Sequence, residues 1–212
     1  MMFPEGVLWH DGSVYVAAPP EIWKLTDTND DGFADEREVW FDAKTLTGCA
    51  NDLHGPYLGL DGWIYWCKGA FAEQTHPQPG RPVLVTKAAH IFRRHPDGGP
   101  VEAVMTGGMD NPVEVDFTET GEIIGSVNLF YGKPRGDVLV HWLKGGAYPR
   151  RDQGKVLTEF KRTGPLLEEL HNFGHVAVSG MCRYRSGALS SGWSVLRGTS
   201  GMTKIYIRSA AR

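Results

Sequence analysis

Apolar and polar residues alternate in short runs along this chain, and the runs recur. Residues 8–16, 58–66 and 115–124 each carry an apolar pair, a turn with glycine, then an apolar strand. The turns are Asp11-Gly12, Asp61-Gly62 and Thr120-Gly121, the dipeptides that close a β-hairpin. A second hairpin follows in the first two units. Residues 21–25 and 38–41 flank one loop, and residues 89–93 and 101–104 flank the turn at 96–99. Two hairpins in succession make a four-stranded unit, and the intervals of roughly 50 and 60 residues match the period of a β-propeller blade. A sandwich gives no reason for such a unit to recur. Helical periodicity is nearly absent; residues 165–170 alone predict a turn or two of helix. The expectation is therefore an all-β protein, a β-propeller of four-stranded blades. At this period 212 residues hold three to four blades, an open arc rather than a closed ring. An open arc leaves an apolar face uncovered, so self-association is expected.

The loop between residues 25 and 38 changes the picture. Asp27, Asn29, Asp31, Asp35 and Glu38 stand at positions 1, 3, 5, 9 and 12 of a calcium loop, with Gly32 at position 6. Hard oxygen ligands converge in that register while glycine allows the sharp turn, and Phe33 at position 7 offers its carbonyl. The aromatic, β-branched flanks predict strands, which puts the loop at a hairpin tip rather than between helices. The alternative is a solvated Asp/Asn/Gly turn with no ligand. Glu38, on a strand, is the weakest of the six.

Composition narrows the remaining classes. A formal net charge of -3 gives no electrostatic footprint for nucleic acid. The pairs Arg93-Arg94 and Arg150-Arg151 read as solvated loop charges. No apolar run reaches the length of a membrane span, and no signal peptide is visible at the start. Twenty-seven glycines and 13 prolines describe tight turns. The three cysteines, Cys49, Cys67 and Cys182, have no metal-binding or haem-attachment spacing. Cys49 and Cys67 could pair if their strands lie side by side; the alternative is buried free thiols. His171, His175 and Cys182 offer a His-x3-His spacing but no fourth zinc ligand. Trp9, Trp63, Trp66 and Trp142 are expected to pack between blades.

Residues 108–117 (Gly108, Met109, Asp110, Asn111, Pro112 and the strand to Phe117) and residues 179–184 (Ser179, Gly180, Met181, Tyr184) resemble two segments of the glucose/sorbosone dehydrogenase family. With the calcium loop they resemble most the planctomycete-type membrane-bound dehydrogenase proteins. The resemblance covers residues 4–188 as a partial propeller; residues 189–212 form a divergent tail. It implies a six-bladed parent fold and oxidation of a sugar or aldehyde. It also implies pyrroloquinoline quinone and calcium as cofactors. Electrons would pass to a cytochrome-type acceptor, with haem c confined to a separate domain, and the location would be periplasmic. By the same resemblance His54 is the general base, although Asn51 holds the place that the family spacing assigns to it. Asn111 and His175 would line the pocket. Asp110 stands where the family carries an arginine that reaches the quinone. Two other functions compete: a calcium-stabilised propeller that binds a glycan or protein without catalysis, and a calcium-dependent hydrolase of the lactonase kind.

Overall fold

The computed structural model describes residues 3–44, 46, 53–78, 80, 82–105, 107–149, 161 and 163–183, and the backbones of two later strands. Every regular element among them is a β-strand. Sheet 1 runs in chain order through β1 (Gly6–His10), β2 (Ser13–Ala18), β3 (Glu21–Thr26) and β4 (Glu36–Asp42). Sheet 2 comprises β5 (His54–Leu58), β6 (Ile64–Lys68), β9 (His90–His95) and β10 (Gly98–Ala103). A small hairpin, β7 (Gln74–His76) and β8 (Leu84–Thr86), is inserted between β6 and β9. Sheet 3 comprises β11 (Asn111–Phe117), β12 (Ile123–Phe130), β13 (Gly136–Trp142) and β14 (His171–Gly174). β15 (Gly180–Cys182), β16 (Trp193–Arg197) and β17 (Lys204–Arg208) form a three-stranded sheet. All strand pairs in these sheets are antiparallel.

The alternation fixes which side each strand buries. In β1 and β2 the turn Asp11-Gly12 has positive φ at both residues, 46° and 75°, the mirror-image turn whose twist suits a hairpin. It sets Val7 opposite Val16 and Leu8 opposite Tyr15. Tyr15, Ala17, Ile22, Trp40 and Phe41 of sheet 1 then pack on Ile64, Trp66 and Phe92 of sheet 2. Tyr65, Cys67 and Ile91, the alternate residues of the same sheet 2 strands, pack on Val115, Phe117, Val127, Val138, Val140 and Trp142 of sheet 3. β6 is buried along its whole length for this reason, as befits a strand covered on both faces.

The first strands of successive sheets lie side by side: β1 on β5, β5 on β11, β11 on β15. The approach is close at Gly6, where a Cβ would meet the Gly55 carbonyl oxygen at 2.2 Å. A second close approach joins the loops before β11 and after β13: a Cβ on Gly108 would stand 1.9 Å from the Tyr148 carbonyl oxygen, and φ there is +129°.

Three expectations are corrected, and the cysteine alternatives are narrowed. Residues 165–170 carry no helix; the stretch is held as a loop by backbone bonds such as Leu167 N–H to the Ala147 carbonyl. Arg93 and Arg94 are strand residues, not loop charges. Arg93 donates to Asp61, Glu102 and Tyr65, and Arg94 to the Trp40 and Gly99 carbonyls. Trp9 is 70% exposed, because it points to the side of sheet 1 on which no other sheet lies among the described residues. Cys67 is a buried free thiol; Cys49 lies outside the described residues, as do Asn51, Arg150 and Arg151. Trp66 and Trp142 are buried as expected and Trp63 is partly so.

Candidate functional site

The starts of β5 and β11 and the residue before β1 come together at one end of the stacked sheets. His54 opens β5 and Asn111 opens β11. The His54 ring is 8% exposed and spans two partners: Nδ1 lies 3.0 Å from Glu5 Oε2, and Nε2 lies 3.2 Å from Asn111 Oδ1. A carboxylate only accepts, so Glu5 holds the proton on Nδ1 and leaves Nε2 facing the amide. With Oδ1 towards it the ring is an imidazolium. With the Asn111 amide turned over, an N–H of the side chain meets a neutral ring whose Nε2 lone pair accepts. Three sheets thus supply one carboxylate, one imidazole and one amide, the arrangement of a general base with an orienting acid.

Asp110 adjoins this group and is 7% exposed. Its backbone carbonyl accepts from Ala70 N–H at 2.9 Å, which ties it to the end of β6. Lys68 at that end is 1% exposed, and its Nζ donates to the carbonyls of Gly69 and Ala88, both at 2.9 Å. Opposite Lys68 in register stands His90, bonded to Thr86 Oγ1 at 2.8 Å and to the Met105 carbonyl at 3.0 Å. His76 meets Gln74 Oε1 at 3.0 Å and stacks on Phe41. Burial, helped by the Lys68 charge, pulls His76 down to about 4. Burial pulls His90 down to about 3. Both are neutral rings at pH 7. Further along β11, burial raises Glu114 to about 7, against the nearby Tyr57 hydroxyl and the Met181 N–H.

His175 follows β14 in an exposed turn. Asp137, 2% exposed, builds that turn by accepting Val176 and Ala177 N–H at 2.8 and 2.6 Å. No hydrogen bond or ion pair among the described residues joins His175 to His54 or Asn111. His171 and Cys182 sit on different strands, β14 and β15. Among the described residues no group of three or more His, Cys, Asp or Glu stands ready to hold a metal.

The loop at residues 27–35 folds around its own carboxylates. Asp27 accepts from the N–H groups of Asn29, Asp30, Asp31 and Gly32, the last at 2.7 Å. Those bonds, Gly32 foremost, hold its carboxyl below the usual range. Asn29 and Asp31 repeat the turn two residues on, bonding Asp31 and Phe33 N–H at 3.0 and 2.8 Å. Asp35 accepts from Thr28 and from the Asn29 amide. Glu38 lies in β4 and pairs across the strand with Lys24 at 3.3 Å.

Glu5, Lys68, His76 and His90 escaped sequence reading. Glu5 and His54 are 49 positions apart, and no motif spans them. The register of β6 with β9 is the only thing that brings Lys68 to His90.

Over residues 1–188 the chain matches the family described as a domain of unknown function, DUF7133. No curated protein matches it.

Proposed function

The chain belongs to the DUF7133 family, and on that premise we propose that it is an arc of a β-propeller of the sugar-dehydrogenase type, with a carbohydrate-handling site at the Glu5–His54–Asn111 end. Support for the propeller comes from three successive four-stranded antiparallel sheets stacked face to face, with β1, β5, β11 and β15 side by side. The observation that carries the site is the His54 ring, held between Glu5 at 3.0 Å and Asn111 at 3.2 Å. A ligand hydroxyl that takes the place of the Asn111 amide would meet a base already oriented by a carboxylate. Glu5 stabilises the imidazolium formed when Nε2 takes the hydroxyl proton. Buried Asp110 and Asn111 and half-buried Glu5 suit a neutral, polyhydroxylated ligand, because each is an acceptor for hydroxyl protons.

The quinone implied by the resemblance does not fit this donor set. Asp110, a 7% exposed acid, stands at the place of the quinone-binding arginine. Like charges about 4 Å apart in a partly buried site differ from opposed ones by several kcal/mol. The reading is therefore a site that binds a sugar or aldehyde hydrate and takes up a hydroxyl proton, with no step through the quinone. The runner-up is quinone-dependent oxidation passing electrons to a cytochrome-type acceptor in an extracytoplasmic setting; His54 favours it and Asp110 opposes it. Calcium belongs to the proposal as a stabiliser. Asp27, Asn29, Asp31, Asp35 and the Phe33 carbonyl are the oxygens that would hold the cation; their carboxylates now accept N–H groups within the loop, so they would have to turn inward together, and Glu38 would have to leave Lys24.

Calorimetric titration with a panel of neutral mono- and disaccharides tests the site. Millimolar or tighter binding, lost in His54→Ala and weakened in Glu5→Gln with folding intact, is expected. Binding indifferent to both substitutions rejects the site. A dye-linked assay with added pyrroloquinoline quinone and calcium should give no turnover in the wild-type chain; turnover would move the case to the runner-up. Asp110→Arg is the variant expected to gain affinity for the quinone.

A further inference from the structure

A second amide stands beside the His54 group. Asn111 opens β11, and Asn128 of β12 is its partner in register. Residues paired in this way across antiparallel strands hold their Cβ atoms about 5 Å apart. Asn128 is half-buried, and its Nδ2 donates to Asp137 Oδ1 at 3.1 Å. A carboxylate only accepts, so this bond fixes which way round the amide sits and leaves its Oδ1 turned from Asp137. Among the described residues nothing donates to that oxygen.

Asp137 is 2% exposed and holds more than Asn128. Its Oδ1 also accepts from Leu129 N–H at 2.8 Å, and its Oδ2 accepts from Val176 and Ala177 N–H at 2.8 and 2.6 Å. Leu129 and Ala177 have φ of +60° and +50°, a left-handed backbone that side chains disfavour. One buried carboxylate thus pins the end of β12 and the turn after β14 in conformations that neither would keep alone. Both lie at the end of sheet 3 where β11 starts, and so at the end that carries Asn111.

We infer that Asn128 is a further ligand-binding residue of the Glu5–His54–Asn111 site, accepting a hydrogen bond from a second hydroxyl of the sugar, and that Asp137 is the residue that positions it. On the carbohydrate reading of that site, which this assignment presupposes, one ligand hydroxyl enters where the Asn111 amide meets His54. The ring then extends over β11 towards β12, and the adjacent hydroxyl donates to Asn128 Oδ1. The ligand class so selected is a vicinal diol on a neutral sugar ring. An analogue without the second hydroxyl leaves the oxygen of Asn128 without its donor.

Calorimetric titration with D-glucose, D-galactose and D-mannose, and with their monodeoxy forms, tests this. Asn128→Ala should weaken the best-bound hexose roughly three- to tenfold. One monodeoxy form of that hexose should bind wild type and variant alike, because the hydroxyl it lacks is the one that Asn128 accepts. Asp137→Asn should weaken the hexose and spare the same deoxy form, whereas a purely structural role would weaken both equally. Asn128→Asp keeps an acceptor but replaces the donor that holds it with a charge that Asp137 repels. It should bind the hexose no better than Asn128→Ala; wild-type affinity there overturns the part given to Asp137, whether or not Asp137→Asn folds. Binding lost in His54→Ala but unchanged in Asn128→Ala keeps the site and overturns the assignment of Asn128. A loss in Asn128→Ala spread evenly over the hexose and all its deoxy forms overturns it too. A wild-type chain that binds none of the three hexoses removes the site and Asn128 together.

Discussion

At the scale of single residues, the buried imidazoles make the strongest claim about behaviour in solution. His76 and His90 are neutral in the folded protein down to about pH 4 and about pH 3. Above pH 6.5 they are neutral in both states and cost nothing. As pH falls through 6.5 the unfolded chain takes up protons that the folded chain refuses, so stability is lost with falling pH, at about 1.4 kcal/mol per unit per group. Glu114 acts with the opposite sign. Raised to about 7, it withholds ionisation from the folded state, so its destabilisation grows as pH climbs from 4.5 to 7. Urea titrations at pH 4.5, 6.5 and 8 should show a fall in stability towards acid that is shallower in His76→Gln, whatever that variant's stability at pH 8. A parallel acid limb in the variant would remove His76 from the account. Calcium is tested at the same scale. A millimolar addition should raise the melting temperature by an amount equivalent to a few kcal/mol at about 100 to 1,000 times the dissociation constant. Asp31→Ala should lose that gain, and identical melts with calcium and with chelator would count against the loop.

At the scale of elements, the chain places glycine where two backbones touch. Gly108 combines φ of +129° with a neighbour, the Tyr148 carbonyl oxygen, 1.9 Å from where a Cβ would sit. Neither the strained backbone nor a main-chain oxygen yields cheaply, so Gly108→Ala should cost on the order of 3 kcal/mol or more in chemical denaturation. Gly12→Ala is the control: φ is also positive there, at +75°, but nothing lies within 4 Å. Its cost should be nearer 1 kcal/mol. Equal losses would mean that backbone conformation alone, and not crowding, governs Gly108. The hairpins themselves were legible in the sequence, because alternation and the Asp-Gly dipeptides are local signals. The β7–β8 hairpin was not; its three-residue strands are too short to show a period.

The whole molecule depends on sheet 2, which is covered on both sides. Trp66 is fully buried on the side facing sheet 1, against Trp40, Phe41 and Phe92. Trp66→Ala should cost about 3–5 kcal/mol by the lost burial and the cavity left behind. If the sheets fold as one unit, the loss will appear equally in near-ultraviolet dichroism, which reports the aromatic core, and in far-ultraviolet dichroism, which reports all strands. Two separated transitions would instead divide the stack at that interface.

Sequence alone determined the all-β class, the hairpins, the four-stranded unit and the carboxylate loop, because each rests on residues that are neighbours along the chain. The resemblance to the dehydrogenase family also marked His54 and Asn111, which the structure sets at the starts of β5 and β11. Tertiary structure decided the rest. Glu5 reaches His54 only because β1 packs on β5, and His54 reaches Asn111 only because β5 packs on β11. Lys68 meets His90 through strand register, and His175 is set apart by the turn that Asp137 builds. Trp9 shows the limit most plainly: its alternation with Leu8 predicts two faces, but whether a face is covered depends on which sheet lies beside it. Long-range packing is set by the sum of many weak contacts, and no local pattern encodes that sum.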